Sequence, residues 1–309
     1  MNDLPPSSPL LSNLRLGPAG WAYPSWDTHF YPSPKPRGFH PLSYLSKFFT
    51  TVEINSCFHQ AIKPEVAQVW VSLVAQQKDF LFTAKLARCF THDKKLDPAE
   101  VGLFRAGLAP IHDARRLGAL VMQFPWSFRF TAENRQYLIE LRKAFHGYPL
   151  VAEFAHESWM LPEALGTLID YRIGFGNLDQ PSYGRAMPPT SILTNGIGYV
   201  RLNGRNYDNW FLDTSGLRER KSRYDYLYPQ AELNDWADRI ERIGQHAKQV
   251  FVIFNNEANA QALVNAFQMQ ALLGPAGIVP KELLRRYPEA LEGFRSTRPM
   301  QRSLFADAA

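Results

Sequence analysis

The chain has 309 residues, of which 45% are hydrophobic, enough for one large globular core. Its 34 basic residues exceed its 29 acidic residues by five, an excess that permits a phosphate-bearing partner without requiring one. Two cysteines, Cys57 and Cys89, are too few for a disulfide framework, and no apolar run is long enough to span a membrane. Residues 1–13 lack the pattern of a signal peptide, so the sequence predicts a cytoplasmic protein.

Residues 1–13 are rich in Pro and Ser, which predicts a flexible N-terminal segment. Eight short apolar runs follow, and most of them precede a stretch with helical periodicity. The runs are residues 14–16, 52–54, 80–84, 119–122, 150–154, 173–176, 199–202 and 250–254. This alternation predicts an α/β protein with a single TIM (β/α)8 barrel over residues 14–273. Residues 274–309 are predicted to be a C-terminal tail.

The predicted helices lie between these runs. They cover residues 41–49, 64–75, 98–117, 131–145, 162–169, 232–247 and 260–272. Residues 207–228 have little periodicity and many aromatic side chains, which predicts a long loop over the barrel mouth. The active face of a TIM barrel lies at the C-terminal ends of its strands, and polar groups follow nearly every predicted strand.

The second strand carries an informative alternation. Glu53 and Asn55 alternate with Val52 and Ile54, so the two pairs point to opposite faces. If the apolar pair faces the helices, the polar pair faces the barrel interior. We therefore expect Glu53 and Asn55 to reach a pocket inside the barrel.

Several motifs occur in order across residues 15–270. They are Gly20-Trp21 with Tyr23 and Trp26, Thr51–Ser56 written out as TVEINS, Gln123-Phe124-Pro125, Glu153 with His156, Gly204-Arg205, and Asn255-Asn256. With these motifs the chain resembles the domain-of-unknown-function 72 family, also called YecE-like. The resemblance implies a TIM barrel of unsettled activity, with fold-level similarity to the endonuclease IV and xylose isomerase group. The chain departs from the family pattern at Ala155, Asn203 and Glu257, where the family has Arg, His and His.

Carboxylates and imidazoles from several strands suit a divalent metal, which makes a metal cofactor one expectation. The candidate ligands are Glu53, Glu153, Asp179, His92 and His156. They show no local ligand spacing, and the alternative is that Glu53 pairs with Lys85 or Arg201 inside the barrel. A further alternative is that Glu53 and Glu153 form the general acid and base of a sugar-processing isomerase or hydrolase.

Arginine, lysine and amide side chains after strands seven and eight predict an anion pocket. Its predicted members are Lys85, Arg201, Arg205, Asn255 and Asn256. The leading hypothesis is therefore binding or hydrolysis of a phosphate-containing ligand, such as nucleic acid. In this hypothesis Glu53, Glu153, His92 and His156 are catalytic. The structural alternative is that Arg205 fixes the long loop and Asn255 the barrel rim.

Other side chains complete the predicted pocket. Trp21, Tyr23, Asn55, Gln123 and Asp179 are the remaining candidates for substrate binding, because aromatic rings stack on bases or sugars and polar groups orient them. A separate alternative makes Cys57 a nucleophile with His59 or His92 as its base.

The C-terminal residues 301–305 read QRSLF, which is similar to the bacterial sliding-clamp-binding peptide. Gln301, Leu304 and Phe305 are the candidate partner-binding residues, because such a peptide lays a Leu-Phe pair into an apolar groove. This pattern favours a second hypothesis, a non-catalytic adaptor recruited to DNA through a sliding clamp. The alternative is that Leu304 and Phe305 pack onto the barrel.

Overall fold

The structure is a computed structural model, and it describes residues 12–211 and 223–297. Eight parallel strands form one sheet in the order β1-β8-β7-β6-β5-β4-β3-β2. The strands are β1 Leu14–Pro18, β2 Thr51–Ile54, β3 Leu81–Lys85, β4 Leu117–Phe124, β5 Leu150–Phe154, β6 Gly174–Asp179, β7 Ile197–Leu202 and β8 Gln249–Phe254. This arrangement confirms the predicted TIM barrel.

The seam between β1 and β2 closes the barrel with few hydrogen bonds. Ala19 forms an isolated parallel bridge with Glu53, and the Gly20 N–H donates to the Glu53 carbonyl at 2.9 Å. Every other pair of neighbouring strands forms a ladder, such as Leu14–Pro18 against Val250–Phe254, and the β3–β4 ladder contains a register shift between Phe82 and Thr83. The barrel is therefore nearly closed, with its weakest pairing at this seam.

Among the described residues, seven helices lie at the predicted positions and three short ones (residues 26–29, 88–91 and 281–286) were not predicted; all ten surround the barrel. They are α1 Trp26–His29, α2 Pro41–Leu45, α3 Pro64–Leu73, α4 Arg88–Thr91, α5 Pro98–Asp113, α6 Ala132–Ala144, α7 Pro162–Asp170, α8 Gln230–Gly244, α9 Gln261–Leu273 and α10 Lys281–Arg286. Four of them begin with proline, whose fixed φ suits the first helical turn. Helix α5 ends before residue 117, where its prediction ended, because β4 begins there.

Side chains of the strands alternate between two cores. The inner core fills the barrel and consists of Ala19, Ala119, Val121, Val151, Tyr199, Phe251 and Ile253. The outer core lies between barrel and helices, and it contains Val52 and Ile54 of β2. Glu53, between these two, therefore points into the barrel, as the alternation in the sequence predicts.

The segment after α9, predicted only as a tail, contains further elements. Strands β9 Ile278–Val279 and β10 Arg295–Ser296 pair in parallel, and α10 lies between them. Leu283 and Leu291 are fully buried in the outer core. The chain up to residue 297 therefore packs onto the barrel. Strands of two residues are too short to leave a periodic signal in the sequence.

None of the helices in residues 12–211 and 223–297 is both long enough and apolar enough to cross a membrane.

Candidate functional site

Arg201 lies at the centre of a buried polar cluster inside the barrel. Its Nε donates to Glu153 Oε1 at 2.6 Å, and its Nη2 donates to Glu53 Oε2 and, at 2.7 Å, to Tyr199 Oη. The Tyr199 hydroxyl in turn donates to Glu53 Oε2 at 2.5 Å. Lys85 Nζ lies 4.0 Å from Glu53 Oε1. We call these five residues the central cluster.

The strand geometry brings the central cluster together. Its members come from β2, β3, β5 and β7, each at a position that faces the barrel interior. Glu153 is opposite Gly176 in the β5–β6 register, and a Cβ on Gly176 would lie 2.6 Å from Glu153 Cγ. The absence of a side chain at Gly176 therefore makes the space in which Glu153 bends toward Arg201.

The two carboxylates have pKa values displaced in opposite directions. Burial raises the pKa of Glu153, and the nearby charge of Glu53 adds to this, so its pKa lies above the usual value despite Arg201. Burial would also raise the pKa of Glu53, but Arg201 and Lys85 outweigh it and leave the pKa of Glu53 below its usual value. Glu53 therefore holds the negative charge of the pair, and Glu153 is the carboxyl that accepts a proton first.

The two cations of the central cluster also differ. Burial and the charge of Arg201 lower the pKa of Lys85, although both carboxylates oppose this. Burial also acts to lower the pKa of Arg201, yet the charges of Glu153 and Glu53 raise that pKa well above the usual range. Arg201 is thus a permanent cation, whereas Lys85 gives up its proton more readily than an exposed lysine.

Three atoms of the central cluster lack a hydrogen-bond partner among the described residues. They are Glu53 Oε1, Glu153 Oε2 and Arg201 Nη1. Buried polar atoms are normally hydrogen-bonded, and an unpaired one is costly. The described residues therefore leave two acceptors and one donor of the central cluster unused.

Asp179 does not join the central cluster, contrary to the prediction. It has the same strand parity as Phe175, which packs in the outer core, and both Asp179 oxygens bind Arg205 at 2.8–3.0 Å. Within the described parts of the chain, no three His, Cys, Asp or Glu side chains are grouped to hold a metal ion. The five predicted metal ligands are thus not brought together.

The predicted anion pocket at Arg201 and Arg205 is also corrected. Arg201 faces the barrel interior from β7, whereas Arg205 lies in the loop after β7, and both already bind carboxylates. Arg205 contacts Glu232 at 3.1 Å as well as Asp179, whereas Arg201 is enclosed by Glu53 and Glu153. The structural alternative for Arg205 therefore holds, because it ties the loop after β7 to β6 and α8.

Neither predicted catalytic histidine hydrogen-bonds to the central cluster. His156 is buried, and its Nδ1 accepts from the Ser158 N–H at 3.1 Å, which caps the 3-10 helix Glu157–Met160. His92 shares a 3.0 Å hydrogen bond with Thr91 Oγ1. Burial lowers the pKa of both imidazoles. His156 has a structural role, and its Nε2 has no partner among the described residues.

Phe58 lies between His92 and the central cluster. Its ring contacts the His92 imidazole edge to face, with centroids 5.3 Å apart. Lys85 Nζ lies 5.8 Å from the centroid of the same ring. His92 is therefore a neighbour of the site, separated from Lys85 by one aromatic ring.

The predicted amides have different surroundings. Asn255 Nδ2 donates to Asn203 Oδ1 at 2.9 Å at the end of β8, beside the barrel mouth. Asn256 is turned away, and it donates to the Tyr226 carbonyl and to Asn265 Oδ1 at 2.8 Å each. Asn256 therefore holds the loop before α8 in place and is removed from the predicted pocket.

The remaining predicted binding residues lie at the ends of β1, β2 and β4. Tyr23 Oη donates to the Ala19 carbonyl at 2.7 Å and also contacts the Asn55 side chain. Gln123 is opposite Glu153 in the β4–β5 register and is half-buried. The Trp21 ring, also half-buried, packs edge to face on Trp70 with centroids 5.1 Å apart.

The cysteine nucleophile is excluded by its surroundings. Cys57 is fully buried, and its Sγ donates to the Ile54 and Lys85 carbonyls at 3.1 and 2.9 Å. Burial and the charge of Glu53 raise the pKa of Cys57 to about 12. A thiol with such a pKa is a poor nucleophile at neutral pH.

Two of the family departures have structural partners: Asn203 binds Asn255, and the Glu257 carbonyl accepts from Trp26 Nε1 at 2.8 Å. The third, Ala155, lines a cavity of about 460 Å³ beside Trp126 and Trp210. The clamp-like residues Gln301, Leu304 and Phe305 lie outside the described residues.

Tyr199 is the member of the central cluster that the sequence analysis missed. It precedes Arg201 by two residues, so both face the barrel interior from β7. The alternation Tyr-x-Arg in a barrel strand predicts that its side chain points inward, but it does not predict the hydrogen bonds of its hydroxyl.

Comparison with known proteins supports the fold and its family. The family model described as "Protein of unknown function DUF72" matches residues 15–288. The chain is 28% identical over 274 residues to the UPF0759 protein YunF of Bacillus subtilis (strain 168), covering 84% of this chain and 96% of that protein.

Solved structures give the same result. A DUF72 family protein from Thermotoga maritima MSB8 is 29% identical, with a TM-score of 0.70 over 84% of this chain and 98% of that one. A DUF72 family protein from Enterococcus faecalis V583 is 25% identical, with a TM-score of 0.72 over 84% of this chain and 95% of that one. The match along nearly the whole barrel shows that this chain belongs to the DUF72 family.

Proposed function

We propose that the barrel mouth is the active site of an enzyme that performs general acid–base chemistry on a hydroxyl-rich ligand such as a sugar. One observation carries the proposal. Glu53 and Glu153 bind neighbouring nitrogens of one guanidinium, and their pKa values move in opposite directions. Paired carboxyls with separated pKa values are a common basis for acid and base roles in one site.

The roles of the two carboxyls follow from their charge states. Glu153 retains its proton to a higher pH than an ordinary glutamate and is suited to donate it. Glu53 stays ionised and is suited to accept a proton through Oε1, which has no partner among the described residues. Lys85, close to Oε1, stabilises negative charge there.

The surroundings favour a neutral, hydroxyl-rich ligand over a strongly charged one. The four charges of the central cluster balance while Glu153 is ionised, and protonation of Glu153 leaves only one net positive charge, so a multiply charged ligand gains little net attraction. The neighbouring amides Gln123, Asn203 and Asn255 can each donate to or accept from a hydroxyl group. Hydroxyl groups also match the mixed set of open acceptors and one open donor in the central cluster.

A phosphate-containing ligand is the second candidate. It is favoured by one observation: Lys85 Nζ and Arg201 Nη2 both lie beside Glu53, and Arg201 Nη1 has no hydrogen-bond partner among the described residues. With Glu153 protonated, the cluster carries one net positive charge, which suits a phosphate ester. In this version Lys85 replaces Arg205 as the second phosphate ligand, and hydrolysis of the ester uses Glu153 as the acid.

The experiment is a turnover screen with neutral sugars and their phosphate esters, run on the unmodified protein and on single glutamine variants. We expect Glu53→Gln and Glu153→Gln to reduce turnover by roughly 10²–10⁴-fold. Glu157→Gln is the matched control, because Glu157 is half-exposed and pairs with Arg185 outside the cluster. It should leave the rate unchanged.

The pH profile tests the assigned roles. Turnover requires Glu153 protonated and Glu53 ionised, so we expect a bell-shaped profile whose high-pH limb disappears in Glu153→Gln. Turnover of neutral sugars supports the first candidate, and turnover of phosphate esters alone supports the second. Turnover that survives both cluster substitutions contradicts the assignment of the site.

The adaptor hypothesis remains a separate prediction. It predicts that the protein binds a sliding clamp and that deletion of residues 301–305 abolishes this binding. This measurement is independent of the barrel mouth.

A further inference from the structure

A cavity lies at the end of the barrel opposite to the C-terminal ends of the strands. It has a volume of about 800 Å³ and is lined by residues at the N-terminal ends of the strands. Arg115, Arg172 and Lys248 lie in the turns before β4, β6 and β8 and contribute three cations to its rim. The half-buried side chains of Leu81 and Ile197 contribute an apolar floor.

The charge of this cavity is not neutralised by the protein. No aspartate or glutamate lines it. The three cations are exposed, and none of them takes part in an ion pair formed by the described residues. Their like charges repel one another across the opening, and an anion bound between them relieves this repulsion.

The backbone at two of these cations is unusual. Arg115 and Arg172 have φ of +55° and +53°, the left-handed conformation that favours glycine. Each lies just after a helix, and the N–H of the next residue donates to a carbonyl in the last turn of that helix. Arg116 N–H donates to the Ile111 carbonyl at 2.9 Å, and Ile173 N–H donates to the Leu168 carbonyl at 2.8 Å. Both helix ends thus place an arginine where glycine fits without steric cost.

We propose that this cavity binds a phosphate group, held by Arg115 and Arg172 with Lys248 as a third contact. Guanidinium groups bind phosphate oxygens in pairs, and lysine adds a point charge. The apolar floor can contact the uncharged part of the ligand. The same phosphate chemistry occurs in a free phosphorylated small molecule and in a nucleic-acid backbone, so the test includes a probe for each source.

The conformation of the two arginines gives a substitution that removes charge and keeps the fold. Arg115→Gly with Arg172→Gly deletes both guanidinium groups and relieves the left-handed backbone. We expect the melting temperature of this double variant to equal or exceed that of the unmodified protein. The matched control is Arg37→Gln with Lys63→Gln, which also removes two exposed positive charges, one between α1 and α2 and one just before α3; neither residue lines the cavity.

Two probes are used with the full chain. Inorganic triphosphate is titrated by calorimetry, and a fluorescein-labelled single-stranded oligonucleotide is titrated by anisotropy across a salt series. We expect the double glycine variant to weaken binding at least about tenfold, and the control variant to leave it unchanged. For the oligonucleotide, each lost phosphate contact should lower the magnitude of the salt slope by about 0.7.

Triphosphate binding that depends on the two arginines identifies a free phosphorylated ligand. Arginine-dependent binding of the oligonucleotide alone identifies a nucleic-acid backbone. The proposal is overturned if neither probe binds at low salt, if the glycine variant binds as well as the unmodified protein, or if both double variants weaken binding equally. None of these results depends on turnover at the barrel mouth.

Discussion

Replacing Arg201 by methionine is the most direct test of the forces that hold the central cluster. Arg201→Met keeps an unbranched side-chain stem and removes the guanidinium between Glu53 and Glu153. Both carboxylates then remain buried without their main partner. The change therefore tests whether Arg201 stabilises the barrel interior by neutralising these two groups.

The expected cost follows from the contacts. Breaking a buried ion pair by removing one partner costs about 3–5 kcal/mol, and Arg201 serves two carboxylates. Tyr199 still donates a hydrogen bond to Glu53, so Glu153 is destabilised more by the removal of Arg201. We expect the free energy of unfolding to fall by about 3–5 kcal/mol at neutral pH. The loss is not doubled for the two carboxylates, because Glu153 can take up a proton.

The effect should depend on pH with a definite sign. Without Arg201 the folded-state pKa values of Glu53 and Glu153 rise above their unfolded values, so the folded variant binds more protons than the unfolded chain. Its penalty is full above these folded pKa values and is relieved as the pH falls through them. The unmodified protein keeps the stability that ionised Glu53 contributes until the pH falls below the ordinary glutamate pKa, because the pKa of Glu53 is lowered in the folded state. Only Glu153 has a raised pKa there, whereas both carboxyls do in the variant. The difference in stability should therefore narrow as the pH falls from neutral toward the ordinary glutamate pKa.

Urea unfolding followed by tryptophan fluorescence measures this difference. Arg185→Met is the control, because Arg185 pairs with Glu157 at the surface and its removal should cost less than about 1 kcal/mol. If Arg201→Met proves too unstable to purify, the triple variant that adds Glu53→Gln and Glu153→Gln should be recovered in folded form. A loss below about 1 kcal/mol, or a difference that widens on acidification, would refute the reasoning.

Two further substitutions test packing around the site. Gly176→Ala should destabilise the protein by about 1–3 kcal/mol in urea unfolding, because the added Cβ would lie 2.6 Å from Glu153 Cγ. In the control Gly166→Ala, in α7, the added Cβ meets no neighbour, so this change should stabilise the protein slightly. Equal effects of the two glycine changes would contradict this. Asn265→Ala should cost about 2–4 kcal/mol by the same measurement, because it leaves the buried N–H and carbonyl of Tyr228 without partners; a neutral effect would show that water replaces the amide.

The sequence predicts the inward direction of Glu53 because β2 alternates strictly between apolar and polar residues. The same argument identified Lys85 and Arg201 as its possible ion-pair partners, and the structure contains both pairs. The argument fails for Asp179. The apolar run in that region ends at residue 176, but β6 continues to Asp179, and this added length carries its side chain to the outer face.

The ion pairs of Arg205 could not be predicted from the sequence. Arg205 binds Asp179, 26 positions earlier, and Glu232, which lies in α8 beyond the long loop. No local periodicity relates these positions, since the pairing depends on how the loop after β7 folds back. Tyr199 was missed for a different reason, because an aromatic residue within an apolar run gives no sign that its hydroxyl is bound.

The seam between β1 and β2 links the barrel mouth to the closure of the barrel. Glu53 takes part in both, since its carbonyl accepts the Gly20 N–H across the seam and its carboxylate binds Arg201. Opening of the seam exposes the Gly20 amide to exchange with solvent deuterium. A molecule that binds Glu53 only in the closed barrel must slow that exchange by mass action, by a factor of about 1 + [ligand]/Kd. The exchange rate of a single amide can therefore identify ligands of this barrel before any reaction is known.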